Sequence, residues 1–159
     1  MPLLSELSDV ERKMLEYFPA FEHTDSPFTP LKKSLDQSRL AIVTTAGVHL
    51  RTDDAFLHQA PPDFSYRIIP SDSSTSDIVQ SHPSIGFDRS AIYKDLNVTF
   101  PIDRVNELAE AKTINSVAKN HFSFHGAQRD PSKIVENSAP EVAKHLIMDG
   151  VDCVLITPT

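Results

Sequence analysis

Residues 39–54, RLAIVTTAGVHLRTDD, decide how the rest of the chain is read. Leu40 to Val43 form an unbroken apolar run rich in β-branched side chains. A run without alternation marks a strand covered on both faces, as in the parallel sheets of α/β proteins. After it come Thr44, Thr45, Gly47, His49 and the carboxylates Asp53 and Asp54, a polar stretch read as a loop in which Gly47 can adopt a positive φ. Open α/β sheets bind ligands just beyond the carboxyl ends of their strands. This stretch is therefore the first place to look for a site.

Toward the N-terminus, Ser8 followed by Glu11 makes a capping box, and Val10, Met14, Leu15 and Phe18 share one helical face. Thr29 and Pro30 then open a short second helix through residues 31–37. Residues 1–38 are expected to be a helical segment packed on a domain of residues 39–159. Downstream, FSYRIIP (64–70) reads as a second strand closed by its proline, and SDSSTSD (71–77) as a polar turn. A short helix is expected near RSAIYKD (89–95) and a short strand at NVTF (97–100). Ile102, Val105, Leu108 and Ala109 predict a helix from Pro101 to Ala111. Residues 116–126 read as a strand or an extended segment. Residues 130–150 read as a broken helix pair, opened by Asp130 and Pro131, recapped by Ser138 with Glu141 and ended by Gly150. Val151 to Thr157 close the chain as a buried strand. The alternation predicts an α/β layered domain, a largely parallel sheet flanked by helices, Rossmann-like but without a dinucleotide fingerprint.

At 159 residues, 40% hydrophobic and 23% charged, the chain has the size and composition of one soluble globular domain. No apolar stretch approaches the roughly 20 residues of a membrane span. The N-terminus lacks a basic n-region and apolar h-region, so the expected compartment is the cytoplasm. A net charge of -7 with no Lys/Arg stripe excludes a surface built for nucleic acid. The one cysteine, Cys153, has no internal disulfide partner and is read as a buried, inert thiol.

Other polar groups are weaker pointers. His121 and His125 are four apart, on one face of a helix or a strand. Without an HExxH pattern or a second cysteine, histidines bonding nearby backbone are the better reading, and no metal is assigned. No P-loop or dinucleotide motif points to a cofactor. The stretch SHPSIGFDR (81–89) adds Ser81, His82 and Asp88, but no GxSxG accompanies them. Asp103 and Arg104 fit structural roles in a helix first turn. The residues alone predict a polar site at strand ends and name no reaction.

Taken in order, RLAIVTTAGVHLR (39–51), DFSYRIIPSD (63–72), the block 81–109 with its DLNVTFPIDRV, HFSFHGAQRDP (121–131) and APEVAKHLIMDGVDCVLITPT (139–159) resemble the selenoprotein B subunit of the glycine/betaine/sarcosine/D-proline reductase family. The resemblance implies an oxidoreductase of the disulfide-as-acceptor class, named for the reverse direction: it cleaves a C–N bond of an amino-acid-like substrate reductively, and a dithiol is left as the disulfide. In that family the strand matching VDCVLITPT runs into a selenocysteine, or a cysteine in its place, with a second cysteine and a helix behind it. The implied nucleophile thus follows Thr157, Pro158 and Thr159, and an in-frame UGA codon read as a stop would leave this chain incomplete and inactive. Thr44, Thr45, Gly47, His49, Ser81, His82, Asp88, Thr157 and Thr159 are the expected wall of that site. A redox partner protein and a homo-oligomer are expected as assembly modes. The competing expectation is a complete, non-enzymatic small-molecule-binding or interaction module, whose last strand would be an edge strand or be covered by a partner.

Overall fold

The computed structural model describes residues 4–17, 24, 26, 28–56, 62–82, 89–128 and 130–158. The chain forms two compact units, Met1–Pro30 and Leu31–Thr159. In the first, helix α1 (Asp9–Tyr17) carries the expected capping box. The Ser8 N–H and hydroxyl both donate to Glu11 Oε2, at 2.8 and 2.7 Å. These bonds favour the ionised carboxylate and hold Glu11 below the usual carboxylate range. The apolar face of α1 is bare: Val10, Met14 and Leu15 are all exposed. Phe18 lies outside the described residues.

The second unit is built around strand β1 (Arg39–Thr44), whose Ala41 and Ile42 are both fully buried. The strand is thus covered on both faces, as the unbroken apolar run implied. On one flank β1 pairs in parallel with the final strand β7 (Cys153–Thr157), from Leu40 opposite Cys153 to Thr44 opposite Thr157. On the other flank it pairs in parallel with β5 (Ser116–Val117) and then β6 (Asn120–Phe124). Strand β3 (Tyr66–Pro70) adds antiparallel to β6. The sheet is mixed and mostly parallel, in the α/β class.

The β5–β6 flank carries two more residues than the β1 segment it faces, since Leu40 pairs with Val117 but Val43 with Phe122. His121 fills the resulting gap in the ladder, its Nδ1 accepting the Ile42 N–H at 3.0 Å. The Ala118 N–H donates to the Leu40 carbonyl at 2.8 Å just before the gap. One core cluster includes Leu40, Ile42, Val48, Ile69, Phe100, Ile102 and Val105. A smaller one joins Phe122 and Phe124 to Val142.

Several local expectations are corrected. The stretch after β1 is not all loop: Val48–Leu50 form β2, antiparallel to β4 (Ile78–Gln80), which follows a 3-10 turn at Thr75–Asp77. The second N-terminal helix is reduced to one 3-10 turn, Leu35–Gln37. There the Ser38 hydroxyl donates to the Ser34 carbonyl at 2.8 Å, a local bond that competes with helix. NVTF is not a strand, because the Asp95 carboxylate accepts the Asn97 N–H at 2.9 Å and turns the chain into a 3-10 segment, Leu96–Val98. Helices α2 (Ser90–Lys94) and α3 (Ile102–Glu110) form where expected.

The expected helix pair is one helical run in which a π segment, Ile134–Ser138, passes into α4 (Ala139–Met148). Pro140 explains the widening, because it has no N–H for the Glu136 carbonyl and its ring crowds that oxygen. The Ala139 N–H accordingly reaches back five residues to the Ile134 carbonyl. Gly150, at φ +68°, ends the helix in the left-handed region.

Strand β7 is not buried. Val154, Leu155 and Ile156 are 37%, 38% and 66% exposed, covering both faces of the strand, and among the described residues β7 pairs only with β1. Cys153 is half-buried against the core rather than enclosed. Polar pairs pin the N-terminal ends of β1 and β7. Arg39 Nη1 donates to the Asp149 carbonyl at 2.8 Å and carboxylate at 3.0 Å, and that carboxylate also accepts the Lys119 N–H at 2.6 Å. The Lys33 ammonium, 2.9 Å away, and the Arg39 N–H hold the Asp152 carboxyl below the usual range. No helix among the described residues is long and apolar enough to cross a membrane.

Candidate functional site

The carboxyl ends of β1, β6 and β7 converge, and the segment after β1 is stitched to both neighbours. The Thr44 hydroxyl lies 3.1 Å from the Thr157 carbonyl and 3.3 Å from that of Thr99, and accepts the Ala46 N–H at 3.1 Å. The Thr45 N–H donates to the same Thr157 carbonyl at 3.2 Å. Beyond it, the Gly47 N–H donates to the Phe124 carbonyl at 3.0 Å, and its own carbonyl accepts the Ser81 N–H at 2.9 Å. Gly47 sits at φ +65°, and a Cβ there would fall 2.9 Å from the Ser81 carbonyl oxygen. Both the backbone conformation and the close approach demand glycine.

Aromatic rings assemble behind these bonds. The Ser81 hydroxyl accepts the Phe56 N–H at 3.0 Å, fixing the buried Phe56 ring. That ring meets His49 edge-on at 6.3 Å and His125 at 5.9 Å, and the Arg67 guanidinium lies 4.3 Å over it. His125 stacks on His82, with centroids 5.7 Å apart and planes 18° from parallel. The Gln128 amide nitrogen sits 3.1 Å from His125 Nδ1 and donates to the Asp63 carbonyl at 2.9 Å. Gln80 ties β4 to the same corner by donating to the Ala46 carbonyl at 2.8 Å. His49 donates from Nδ1 to the Leu50 carbonyl at 2.8 Å. The buried hydroxyls of Thr99 and Thr157 have no hydrogen-bond partner among the described residues.

Three buried imidazoles, two hydroxyls without partners among the described residues and a guanidinium over an aromatic ring can orient a small polar molecule and offer it hydrogen-bond donors and acceptors. The cluster holds no thiol. Cys153 lies at the opposite end of β7 from Thr157, about 13 Å away at the rise of an extended strand.

The model of the glycine/sarcosine/betaine reductase selenoprotein B family matches residues 3–159. The chain belongs to that family. It is 40% identical over 130 residues to D-proline reductase subunit gamma of Acetoanaerobium sticklandii, an alignment covering 82% of this chain and 52% of that protein. It is also 29% identical over 152 residues to the sarcosine reductase complex component B subunit beta of Peptoclostridium acidaminophilum, covering 94% of this chain and 34% of that one. The chain thus spans about half the length of the first relative and a third of the second. No solved structure matches.

Within this selenoprotein B family member, the expected wall residues fall together in part. Thr44, Thr45, Gly47, Ser81 and Thr157 are joined by the bonds above, and His49 and His82 connect to them through Phe56 and His125. Asp88 and Thr159 lie outside the described residues. Sequence reading missed Phe56, Arg67, Thr99 and Gln128; the last three lie in stretches quoted for the family resemblance, but no spacing there singled them out. The four-residue spacing pairs His125 with His121, yet the two do different work: His125 joins the ring cluster, while His121 bonds the β1 backbone. Burial pushes the His121 imidazole down to about 4, with the Asp149 carboxylate opposing it, so the ring is neutral. Among the described residues no three His, Cys, Asp or Glu side chains group as metal ligands.

Proposed function

We propose that these 159 residues are the substrate-orienting α/β portion of a selenol- or thiol-dependent reductase subunit, and that the nucleophile is supplied by polypeptide outside them. The observation that carries the reading is the polar and imidazole cluster at the carboxyl ends of β1, β6 and β7, with Thr157 at its edge and no thiol within it. A selenolate or thiolate arriving there meets the setting in which α/β folds place chemistry. In the proposed step it attacks the carbon of a C–N bond: the C–Se or C–S bond forms as C–N breaks, and the amine leaves with a proton. A dithiol then supplies two electrons and two protons to release the product and becomes a disulfide. The buried imidazoles suit the proton transfer to the departing amine.

The substrate class is an amino acid or its N-substituted relative, supported by the names of the two relatives, D-proline reductase and sarcosine reductase. Membership of a larger assembly is supported by the exposed faces of β7 and by its outer edge, unpaired among the described residues, since such strands recruit partners. To test the reading, the 159-residue chain and a version extended by a selenocysteine- or cysteine-bearing continuation are incubated with D-proline or sarcosine and dithiothreitol. The extended protein is expected to release reduced product and the 159-residue chain none. Cleavage by the 159-residue chain that persists in Cys153→Ser would overturn the proposal.

A further inference from the structure

A second concavity, which shares Gln80 with the strand-end corner, lies between the β2–β4 ribbon and α2, with a volume of about 500 Å³. Arg51, Thr75, Ile78, Ile92, Tyr93 and Lys94 line it, and among the described residues no Asp or Glu does. That is unexpected in a chain carrying 22 acidic and 15 basic side chains. Arg51 is oriented by a single bond, Nε donating to the Ser76 carbonyl at 3.1 Å, which leaves its terminal nitrogens without partners among the described residues. Lys94 forms no hydrogen bond or ion pair through its ammonium with any of them. Two cationic residues whose charged ends have no partner among the described residues therefore line one hollow, with largely buried isoleucines and an exposed tyrosine.

We propose that this hollow binds a small organic anion with an apolar body and no positive charge of its own, such as an aliphatic or aromatic carboxylate. Arg51 offers two N–H groups to a carboxylate in fork geometry and Lys94 adds a point charge. Ile78, Ile92 and the Tyr93 ring cover the apolar part. With no carboxylate among the described lining residues, a zwitterionic amino acid would leave its ammonium unmatched there. The ligand class therefore differs from that proposed for the strand ends, and neither reading depends on the other.

The test is calorimetric titration of the full chain with benzoate, inorganic phosphate and glycine in parallel, repeated on Arg51→Gln and Lys94→Gln, with circular dichroism confirming that each variant is folded. Benzoate is expected to bind, glycine and phosphate to bind at least about ten-fold more weakly, and each variant to lose roughly ten-fold in benzoate affinity, the scale of one charge-assisted hydrogen bond. Lys94→Glu, which reverses the charge at an exposed position, is expected to lose more than Lys94→Gln. Absence of benzoate binding, binding unchanged in the folded variants, or a preference for phosphate or glycine would overturn the assignment.

Discussion

His121 is a side chain used as a piece of backbone. Its Nδ1 takes the Ile42 N–H where two additional residues break the ladder between β1 and the β5–β6 flank. A protonated ring could not accept that bond, and burial lowers its pKa from 6.5 to about 4. Because the folded pKa lies below the unfolded one, the unfolded chain binds more protons between these values, and stability falls as pH drops through that window. The loss attributable to this ring approaches about 3 kcal/mol near pH 4. Denaturant titrations stepped from neutral pH down through that window measure it. His121→Gln keeps an acceptor and removes the titration, so its stability is expected to fall less steeply than that of the parent; parallel pH profiles would refute this role for the residue. Gly47 is constrained differently. A side chain there faces both the left-handed backbone and the Ser81 carbonyl, so Gly47→Ala is expected to cost about 2 kcal/mol or more in chemical denaturation. A neutral substitution would mean that the turn after β1 relaxes freely.

At the scale of elements, the polar pins sit at the N-terminal ends of β1 and β7, while the rings and hydroxyls sit at their carboxyl ends. Asp149 is the central pin: its backbone and carboxylate receive Arg39, and its carboxylate also receives the Lys119 N–H. Asp149→Ala strands the Arg39 and Lys119 donors and is expected to cost about 2 kcal/mol of stability, read as a shift in denaturation midpoint. An unchanged midpoint would mean that water replaces the carboxylate at no cost. The elements that were legible in sequence have strong periodicity or unambiguous punctuation. Strand β1 announces itself by an unbroken apolar run, α3 by Pro101 with Ile102 and Val105, and α1 by its capping box. The elements that were not legible are short or set by side chains acting locally. Strands β2 and β4 have three residues each, too few for a period to emerge. The Asp95 carboxylate turned an apparent strand into a 3-10 segment, and Pro140 fused an apparent helix pair through a π turn. Of the site, the segment from Thr44 to His49 with Ser81 and His82 was legible because it follows a buried strand or mixes hydroxyl and imidazole groups. Phe56, Arg67 and Gln128 were not, because only the folded chain brings them to His125.

At the scale of the molecule, the final strand is the element for which pattern and environment diverge. Its residues are those of a central strand, yet Val154, Leu155 and Ile156 are exposed on both faces and its outer edge is unpaired among the described residues. Apolar strands of this kind are covered in working proteins, by further polypeptide or by a partner. Under the proposed function, the polypeptide that covers β7 would also bring the nucleophile to the cluster at its end. The most direct measurement is mass spectrometric sequencing of the protein isolated from its natural source, through the peptide that contains Cys153. That peptide is predicted to run past Thr159 into a selenocysteine or cysteine. A native protein whose chain ends at Thr159, or continues without either residue beside β7, would contradict the proposed function.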